Sequence, residues 1–533
     1  MSRRRSLRFA MPQADANEFE VVVVGFGPSG AVATSLLGAH GIRTLAVDRD
    51  RSVYDKPRAI AFDHEILRLF DNLGVAGRLL PYIAPFPTSE HFGARGQLIR
   101  RIDMVSEPYP LGYTPTMVFT QPPVEEELRA HARSYPEVIV ELGTELTQLS
   151  QSATGVTLEL RSDTGLTRSV TADFVIACDG ASSGVRRQLG IDFEDLSFDE
   201  PWLVVDLQVK DGALTKLPRT AAQFCDPARP TTYIVGPASH RRFEIMLLPG
   251  EDPRAMQQPD NVWRLLARWL TPEDATLWRA ASYRFHALVA SNWRSGRVFL
   301  AGDAAHQQPP FIGQGMCQGI RDVANLAWKL ERVLRGRSGA ALLDTYEEER
   351  SAHVRELTTR IKAIGRVICE RDPIAAAARD ERILAEGGGS VRTITRQEIV
   401  PPLHCGLIGS DRHAANGTLF PQPWVLGVSG RVLLDALCGT GWRLVLKAGT
   451  ELAMSRAMAA QARDAGLRVI RIAANDEDMA ADAIREESGV VGRWFTQHEC
   501  AAALVRPDHY VYGVASDVSA LASLLSELAG RLQ

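Results

Sequence analysis

The chain contains 533 residues, of which 45% are hydrophobic and 23% are charged, and its formal net charge at pH 7 is −4. This length predicts two to four domains. The charge balance argues against a nucleic-acid partner, because the basic cluster (Arg3, Arg4, Arg5 and Arg8) lies in residues 1–18, which we expect to be a disordered N-terminal tail.

A βαβ unit is predicted at the start of the structured chain. Residues 21–25 form an apolar β-branched run typical of a buried parallel strand, a helical stretch follows to about His40, and residues 44–47 form a second strand. Further strand-like runs occupy residues 138–141, 156–160 and 174–177. Residues 200–290 are predicted to be rich in strands, with runs at 202–209, 231–235 and 243–248.

Helices and strands alternate in the second half of the chain. A buried strand at 297–301 leads into a loop rich in glycine and proline, and apolar residues spaced by three and four predict a helix over 316–335. A helical region covers 341–386, and residues 387–390 have the composition of a linker. Beyond about residue 400 we predict an α/β module with strands at 443–446 and 468–472, a helix at 451–465, a hairpin at 502–514 and a last helix from about 517.

A glycine-rich motif joins the first strand to the first helix, and it reads Gly25-Phe26-Gly27-Pro28-Ser29-Gly30. Gly25 permits a tight turn, Gly27 lets the backbone approach a pyrophosphate, and Gly30 allows close packing of strand and helix. The helix N-terminus offers free N–H groups to phosphates. Asp48 ends the second strand, where an acidic residue would bind ribose hydroxyls, and we place its neighbour Arg49 in the same cofactor site.

Two more motifs follow strands later in the chain. The first is Asp179-Gly180-Ala181-Ser182-Ser183-Gly184-Val185-Arg186, and the second is Gly302-Asp303-Ala304-Ala305-His306 followed by Pro309-Pro310 and Gly313-Gln314-Gly315. Each motif taken alone is compatible with a surface turn. In this order and at these spacings, the three motifs resemble the fingerprint of the flavoprotein aromatic hydroxylases, which are FAD-dependent monooxygenases.

The resemblance is nearest to the group that hydroxylates 3-(3-hydroxyphenyl)propionate and phenol, through Pro57-Arg58-Ala59 and residues 241–251 and 324–330. It covers about residues 19–360 strongly and the rest loosely. It implies an α/β fold in which a Rossmann-like FAD-binding domain (19–199 and 291–386) is interleaved with a β-rich substrate domain (200–290). A thioredoxin-like domain without CxxC (400–533) would follow, in a packing or homodimer-forming role.

The resemblance also implies an activity. In this family NADH or NADPH reduces FAD, O2 adds to the reduced flavin as a hydroperoxide, and a phenolic ring attacks its outer oxygen. We therefore expect a small phenolic substrate, FAD as the cofactor, a transiently bound NADH or NADPH, and O2. Oxygen should enter the ring next to an existing hydroxyl.

Site residues are carried over on the same basis. Asp303 would bind the ribityl chain of FAD, Arg58 and Gln121 would lie along the ribityl and pyrophosphate, and Asp179 and Gly180 would serve FAD and nicotinamide. The helix starting near Met316 would direct free N–H groups at the flavin ring. Gly302, Gly313, Gly315, Pro310 and Cys317 complete the expected cofactor site. Cys317 departs from the asparagine common in the family, so a side-chain contact to the flavin is lost.

The proton acceptor for the phenol is the least determined group. Asp63, His64 and His306 are candidates by position, and we assign a proton-relay role to His64, although a lone histidine is more often structural. Pro310 would place a backbone carbonyl near the substrate. Gln223, Cys225 and Tyr233 would lie in the roof of the pocket, where ordinary sheet packing is the plainer interpretation.

Two alternative functions remain open, and two other classes of flavoprotein are disfavoured. A hydroxylase of polycyclic polyketides and a flavin-binding redox protein without hydroxylation stay as alternatives. A halogenase would carry a WxWxIP signature, and a disulfide reductase a second GxGxxG and a CxxC, and the sequence has none of these. The seven scattered cysteines predict neither disulfides nor a metal site, and the absence of a membrane-length apolar run and of a signal-peptide pattern predicts a cytoplasmic protein without a membrane partner.

Overall fold

A computed structural model describes residues 17–427, 430–450, 452, 454–473 and 483–533. The predicted N-terminal tail falls almost wholly outside these residues, and the first strand already begins at Glu18. No helix among the described residues is long and apolar enough to cross a membrane.

The elements up to residue 188 are β1 (Glu18–Val24), α1 (Pro28–Ala39), β2 (Thr44–Asp48), β3 (Ala61–Asp63), α2 (His64–Asn72), α3 (Ala76–Leu79), β4 (Ile83–Pro85), β5 (Ser89–Phe92), β6 (Leu98–Asp103), β7 (Thr116–Phe119), α4 (Gln121–Ala132), β8 (Val138–Leu142), β9 (Thr144–Gln151), β10 (Val156–Ser162), β11 (Thr167–Ala177) and α5 (Gly184–Gln188). The elements from there to residue 307 are β12 (Phe193–Val209), β13 (Ala221–Phe224), β14 (Thr231–Val235), β15 (His240–Met246), α6 (Pro253–Met256), α7 (Pro259–Leu266), β16 (Ala275–Ala290), β17 (Arg294–Ser295), β18 (Val298–Leu300) and β19 (His306–Gln307).

The remaining elements are α8 (Gly315–Leu334), α9 (Asp344–Cys369), α10 (Pro373–Glu386), β20 (Arg392–Thr395), β21 (Trp424–Gly427), β22 (Gly430–Leu433), α11 (Leu434–Cys438), β23 (Arg443–Lys447), α12 (Arg456–Asp464), β24 (Arg468–Ala473), β25 (Ala483–Arg485), α13 (Val490–Gln497), β26 (Ala502–Val505), β27 (Val511–Ala515) and α14 (Val518–Leu532). The predicted βαβ opening, the helix over 316–335 and the late hairpin are confirmed within a few residues.

The first sheet gathers the three glycine-rich motifs at one edge. Its strand order is β17-β18-β11-β1-β2-β8, and β10 and β9 extend from β11. Strands β18, β11, β1, β2 and β8 run parallel, with Val24 beside Ala177 and Ala177 beside Leu300. Because parallel strands end at a common edge, the loops after β1, β11 and β18 meet there, which is where ligands bind in open α/β sheets.

The second sheet draws strands from distant parts of the chain. Its order is β19-β16-β12-β15-β14-β13-β5-β6-β20. Strands β5 and β6 come from residues 89–103, and β20 comes from residues 392–395, so the sheet extends well beyond the predicted range of 200–290. Residues 387–390, which have a linker composition, form a turn that delivers the chain from α10 into β20.

The C-terminal unit is a third α/β layer. Within the described residues its five strands have the order β25-β24-β23-β26-β27, and β23 is parallel to β24 but antiparallel to β26. Apolar residues of α12 and α14 pack on one face, together with Trp328 of α8.

Buried ion pairs join this unit to the rest of the chain. Arg506 donates to both carboxylate oxygens of Glu349 in α9 at 3.0 and 2.7 Å. Lys329 of α8 donates to the same carboxylate at 2.9 Å. Arg68 of α2 forms a second link, since its Nε and Nη2 donate to Asp435 at 2.7 and 3.0 Å. Each of these buried charged groups is therefore paired with an opposite charge at the contact between the C-terminal unit and the rest of the chain, as buried charges require.

Candidate active site

The glycine-rich loop after β1 has the backbone that an anion cradle needs. Gly25 has φ +94°, and a Cβ there would lie 2.3 Å from the carbonyl oxygen of Cys178. A Cβ on Gly30 would lie 1.9 Å from the carbonyl oxygen of Gly25, so strand and helix touch at this point. A Cβ on Gly27 would meet no other atom within 4 Å, and no side chain caps the start of α1. Free N–H groups therefore face open space, which suits a phosphate.

A cleft of about 470 Å³ extends from this loop to the underside of the second sheet. Many of the predicted cofactor residues line it, namely Gly27, Pro28, Ser29, Arg58, Gln121, Gly180, Gly302, Asp303, Pro310, Gly313, Gly315 and Met316. The structure therefore brings together residues that lie up to 289 positions apart in the chain.

Other predicted residues stand behind the lining. Gly25 and Gly30 shape the turn, and the thiol of Cys317 is buried near the carbonyl oxygens of Ala61 and Gly313. Asp48 uses its Oδ2 to accept from the N–H of Phe26 at 2.7 Å, while the adjacent Arg49 is exposed. None of these residues borders the cleft itself, and Gly25, Gly30 and Asp48 shape the loop after β1.

Asp179 also stands just behind the lining. Its Oδ2 accepts from the N–H of Val185 at 3.1 Å, while its Oδ1 is buried without a hydrogen-bond partner. Gln308 lines the cleft, and both polar atoms of its amide are buried without partners. Unpaired buried polar atoms are costly, so both residues favour a polar ligand in this cleft.

Gln121 positions a loop as well as lining the cleft. Its Oε1 accepts from the N–H groups of Arg58 and Ala59 at 2.9 and 2.6 Å. From the opposite side, Arg242 donates to the carbonyl of Arg58 at 2.7 Å, and Arg279 donates to the carbonyl of Pro57 at 2.6 Å. The loop is thus held at both its N–H and C=O groups. The half-exposed Arg58 side chain borders the cleft, and its Nη2 donates to Glu125 at 3.4 Å.

The loop after β18 and the start of α8 form the far wall. The Asp303 side chain opens into the cleft, and desolvation by the surrounding protein raises the pKa of its carboxyl. Helix α8 begins at Gly315, and no side chain caps it, because the Gln314 amide donates to Asp63 and accepts from Arg321. The first N–H groups of α8 are therefore available to stabilise negative charge near Met316.

These features fit FAD. An uncapped helix N-terminus beside an open glycine suits the pyrophosphate, a carboxylate in the cleft suits ribityl hydroxyls, and a second uncapped helix start suits the electron-rich end of the reduced flavin. When bound, FAD supplies the transfer of electrons from nicotinamide and the activation of O2.

His64 does not reach the cleft. It lies in a neighbouring cavity of about 180 Å³ with Asp63, Glu65 and Arg321. Asp63 caps α2 through the N–H of Ile66 and pairs with Arg321, which turns this segment away from the cleft. Burial lowers the pKa of His64 to about 4, so this histidine is neutral at physiological pH.

His306 does line the cleft. It stacks on Trp293, with ring centroids 5.3 Å apart, and its Nε2 lies 2.8 Å from Asp322. Its position beside Asp303 is at the cofactor end, where it orders the loop after β18.

The second sheet covers the far part of the cleft with alternate side chains of its strands. This face presents Arg279, Tyr283 and Phe285 from β16, Val204 from β12, Arg242 and Glu244 from β15, Ala221 and Gln223 from β13, and Ser89 from β5. Tyr233 touches the cleft but points its hydroxyl at the carbonyl of Pro218, and Cys225 is buried in apolar packing away from it. Phe86, Phe311, Ile312 and Arg396 close the opposite side.

The charged residues of this chamber were not singled out as site residues from the sequence. Arg242 and Glu244 alternate with Phe243 and Ile245, so one face of β15 is charged although both faces are buried. Buried charge on one face of a central strand is a recognisable signal of a polar site. Burial raises the pKa of Glu244 to about 7 and lowers the pKa of Arg396 to about 10.

Comparison with known proteins places this geometry in a family. Residues 18–361 match the family described as an FAD binding domain, and residues 417–530 match the HcaD C-terminal domain. The chain is 37% identical to a probable NADH-specific resorcinol 4-hydroxylase of Rhodococcus jostii (strain RHA1), over 97% of this chain and 96% of that protein. It is 33% identical to a 3-(3-hydroxy-phenyl)propionate/3-hydroxycinnamic acid hydroxylase of Burkholderia vietnamiensis (strain G4 / LMG 22486), with 94% of each chain covered.

A solved structure has the same fold. The flavin-dependent monooxygenase PieE, in complex with FAD and substrate, superimposes with a TM-score of 0.82 at 22% identity, covering 97% of this chain and 100% of that chain. The family match over residues 18–361 and the 37% and 33% identical relatives confirm the predicted resemblance to the flavoprotein aromatic hydroxylases.

Proposed function

The chain belongs to the FAD-dependent aromatic hydroxylases, and we propose that it hydroxylates a small phenol of the resorcinol type with NADH as reductant. The net reaction converts an aromatic C–H, O2, NADH and a proton into an aromatic C–OH, water and NAD⁺. The single observation that carries this proposal is the cleft, which joins an FAD-compatible cradle to a walled chamber under the second sheet.

The residues of the cleft have separable roles in this proposal. Gly27, Pro28 and Ser29 would hold the pyrophosphate at the start of α1, and Asp303 would hold the ribityl chain. Gly313, Gly315 and Met316 would border the flavin ring at the start of α8.

Further residues would support the cradle from the sides and from behind. Arg58, Gln121, Gly180 and Gly302 would flank the cofactor, and Pro310 would present its backbone carbonyl to the substrate. Asp48 and Asp179 would order the loops on which phosphate and ribose rest.

The chamber has apolar walls that would exclude water from the reacting ring. Phe285 and Phe311 lie edge to face with centroids 6.0 Å apart, and Phe285 stacks on Trp202 at 5.4 Å. Together with Val204, Phe86 and Ile312 they provide apolar walls. Such walls would suppress the loss of activated oxygen to solvent.

A resorcinol-type ring suits the chemistry. The carbon para to one hydroxyl and ortho to the other receives electron density from both, so it is the most nucleophilic position. The similarity to a protein named as a resorcinol 4-hydroxylase supports this choice and supports NADH over NADPH.

A carboxylated phenol is the second candidate. Arg396 lines the chamber beside Phe86, donates to the carbonyl of Ile312, and has no ion-pair partner among the described residues. With a pKa of about 10 it remains cationic at neutral pH, so it would attract a carboxylate such as that of 3-(3-hydroxyphenyl)propionate.

The arrangement of the domains is part of the same proposal. The first and second sheets would form interleaved FAD-binding and substrate domains with the predicted limits 19–199, 200–290 and 291–386, and residues 400–533 would form a thioredoxin-like unit. The homodimer and the cytoplasmic location stay predictions.

A substrate panel with ¹⁸O2 tests the proposal. Resorcinol, 3-(3-hydroxyphenyl)propionate, phenol and a polycyclic phenol are each incubated with the FAD-loaded enzyme, and NADH is compared with NADPH. We expect one labelled oxygen in a product with a new hydroxyl ortho or para to an existing one, formed fastest from resorcinol and NADH. Labelled product from the polycyclic phenol alone, or NADH oxidation without labelled product from any phenol, would contradict the proposal.

A further inference from the structure

Glu244 is a buried acid that faces the substrate chamber. Its side chain lies at the centre of the second sheet, is 3% exposed, and borders the cleft. Its Oε2 is buried without a hydrogen-bond partner. A buried carboxyl oxygen without a hydrogen bond is costly unless a ligand donates one. The chamber therefore suits a ligand with a hydroxyl donor at this point.

The groups around Glu244 are already engaged with one another. On the same face, Arg242 donates its Nε and Nη2 to Asp206 of β12 at 2.7 and 3.1 Å. Arg279 of β16 lies 3.6 Å from Asp206 and donates to the carbonyl of Pro57. The positive charge of Arg242 is thus shared with Asp206, which leaves Glu244 without a matched cation.

On its other flank Glu244 meets neutral polar groups. Thr232 of β14 stands opposite Glu244 in the register and donates to Gln223 of β13 at 2.5 Å. Arg396 lies across the chamber. Because burial outweighs the attraction of Arg242, the pKa of Glu244 rises to about 7, close to the pH at which a general base works best.

We propose that Glu244 is the catalytic base that accepts the phenolic proton of the substrate during hydroxylation. The inference rests on the proposed function and adds the residue that activates the ring. The substrate O–H bond breaks, its proton passes to Oε2 of Glu244, and its electron pair enters the ring. The ring carbon bonds to one oxygen atom of the activated O2 as the O–O bond breaks, and the second oxygen atom leaves as water, with electrons that NADH supplies and a proton from solvent. The loss of the C–H proton from the hydroxylated carbon then restores aromaticity, and Glu244 returns its proton to solvent before the next turnover.

The timing of this transfer follows from acidities. A free phenol has a pKa of about 10, so Glu244 takes only a hydrogen bond from it at first. As the ring gives electrons to oxygen, its hydroxyl becomes strongly acidic, and transfer to a group of pKa near 7 becomes favourable. The histidines that line or adjoin the cleft are worse placed. His64 occupies a separate cavity, His306 is bound to Asp322 at the cofactor end, and Nδ1 of His286 lies 3.5 Å from the carboxylate of Asp199.

The test compares Glu244→Gln with the parent enzyme and measures product formed per NADH consumed. This ratio does not depend on how fast the flavin is reduced. In the parent it should fall as the pH drops below about 7, because Glu244 becomes protonated. In Glu244→Gln the hydroxylation rate should fall about 100-fold and recover only as the pH approaches about 10, where the phenol ionises by itself.

Acidic phenols give a second readout. Ring-fluorinated phenols that are already ionised at pH 8 should narrow the gap between Glu244→Gln and the parent, because they need no base. FAD affinity of the variant, measured by equilibrium titration, should be unchanged. Glu200→Gln is the matched control, since Glu200 lies in the same sheet, has a pKa raised by burial, and does not border the cleft.

Three results would overturn the proposal. The first is a Glu244→Gln enzyme with the parental product ratio and pH profile, and the second is an equal loss in Glu200→Gln. The third is read from the parent alone, which covers the case of a variant that does not fold. In the parent, the product formed per NADH should begin to fall at the same pH, about 7, whatever the acidity of the phenol. If the pH at which this ratio falls instead changes with the pKa of the substrate, the enzyme supplies no base. Absence of product from every phenol with the parent would instead refute the proposed function itself.

Discussion

Replacing Glu349 with glutamine should weaken the contact between the C-terminal unit and the rest of the chain. The Glu349 carboxylate accepts from Arg506, from Lys329 at 2.9 Å, from Asn325 at 2.6 Å and from the N–H of Leu407 at 2.8 Å. Glutamine keeps the shape but removes the charge that balances two buried cations. Arg506 cannot lose its proton, so its charge would stay buried with Asp508 as its remaining partner.

The size of the effect follows from the acidity of Glu349. Despite the burial that opposes ionisation, Arg506 and Lys329 lower its pKa from the ordinary 4.5 to about 2. A shift of that size corresponds to about 3 kcal/mol of folding free energy, close to the ~3–5 kcal/mol for breaking a buried ion pair. Lys329 responds differently, because burial outweighs pairing and lowers its pKa to about 8. In the variant Lys329 can therefore shed its proton, which favours the lower end of that range.

The pH dependence has a definite sign. A carboxyl whose pKa is depressed on folding stabilises the protein above its unfolded pKa of 4.5, and this stabilisation is lost as the pH falls towards 2. The difference between parent and Glu349→Gln should therefore be full at pH 7 and shrink below about pH 4.5.

Urea unfolding followed by tryptophan fluorescence measures the effect. Trp328 and Trp442 meet edge to face at this contact, with centroids 5.7 Å apart, so they report on its separation. Glu356→Gln is the control on the same helix, because its partners Arg360 and His404 have side chains 39% and 59% exposed, and pairs at such exposure contribute about 0–1 kcal/mol. Equal shifts in the two variants, or no shift in Glu349→Gln, would refute the reasoning.

Three further outcomes are expected. Asp303→Asn should weaken FAD binding by about 1.5–3 kcal/mol in a fluorescence titration, because a charged acceptor is lost, and an unchanged affinity would remove Asp303 from the cofactor site. Arg396→Gln should raise KM for 3-(3-hydroxyphenyl)propionate far more than for resorcinol in steady-state assays, and equal effects would remove Arg396 as a carboxylate partner. Cys438→Ser and Cys500→Ser should leave turnover intact, since burial raises the pKa of both thiols, and lost activity in a folded variant would give the C-terminal unit a chemical role.

Local patterns were enough to predict the cofactor half of the fold. The run before Gly25, the spacing to Gly30 and the helix after Gly315 are each encoded within some twenty residues, so their backbone follows from turn chemistry and periodicity. The family resemblance then predicted that the separate motifs would share one cleft, and the parallel edge of the first sheet explains why they do.

The substrate side was harder to predict because its contacts are non-local. Strand β5 pairs with β13 across some 130 residues, and β20 pairs with β6 across some 290, and no local pattern sets such registers. His64 illustrates the difficulty. Its position in the sequence suggested the cleft, but it lies in the neighbouring cavity, where the adjacent Asp63 pairs with Arg321. Glu244 was visible as a charge in an apolar strand, but only the sheet order shows which way it faces.

The parallel neighbours of β1 also determine the order in which the first sheet can form while the chain is being synthesised. Strand β1 pairs with β2 soon after synthesis, but its other side waits for β11, and β11 in turn waits for β18 at Val298–Leu300. At about 5–20 residues per second, the loop that carries Asp303 emerges roughly 15–60 s after β1. During this interval the valines of β1 remain open on one side, so the nascent chain presents an apolar strand edge to other chains. The cofactor cleft is therefore a late product of translation, and FAD can be taken up only after more than half of the polypeptide has been made.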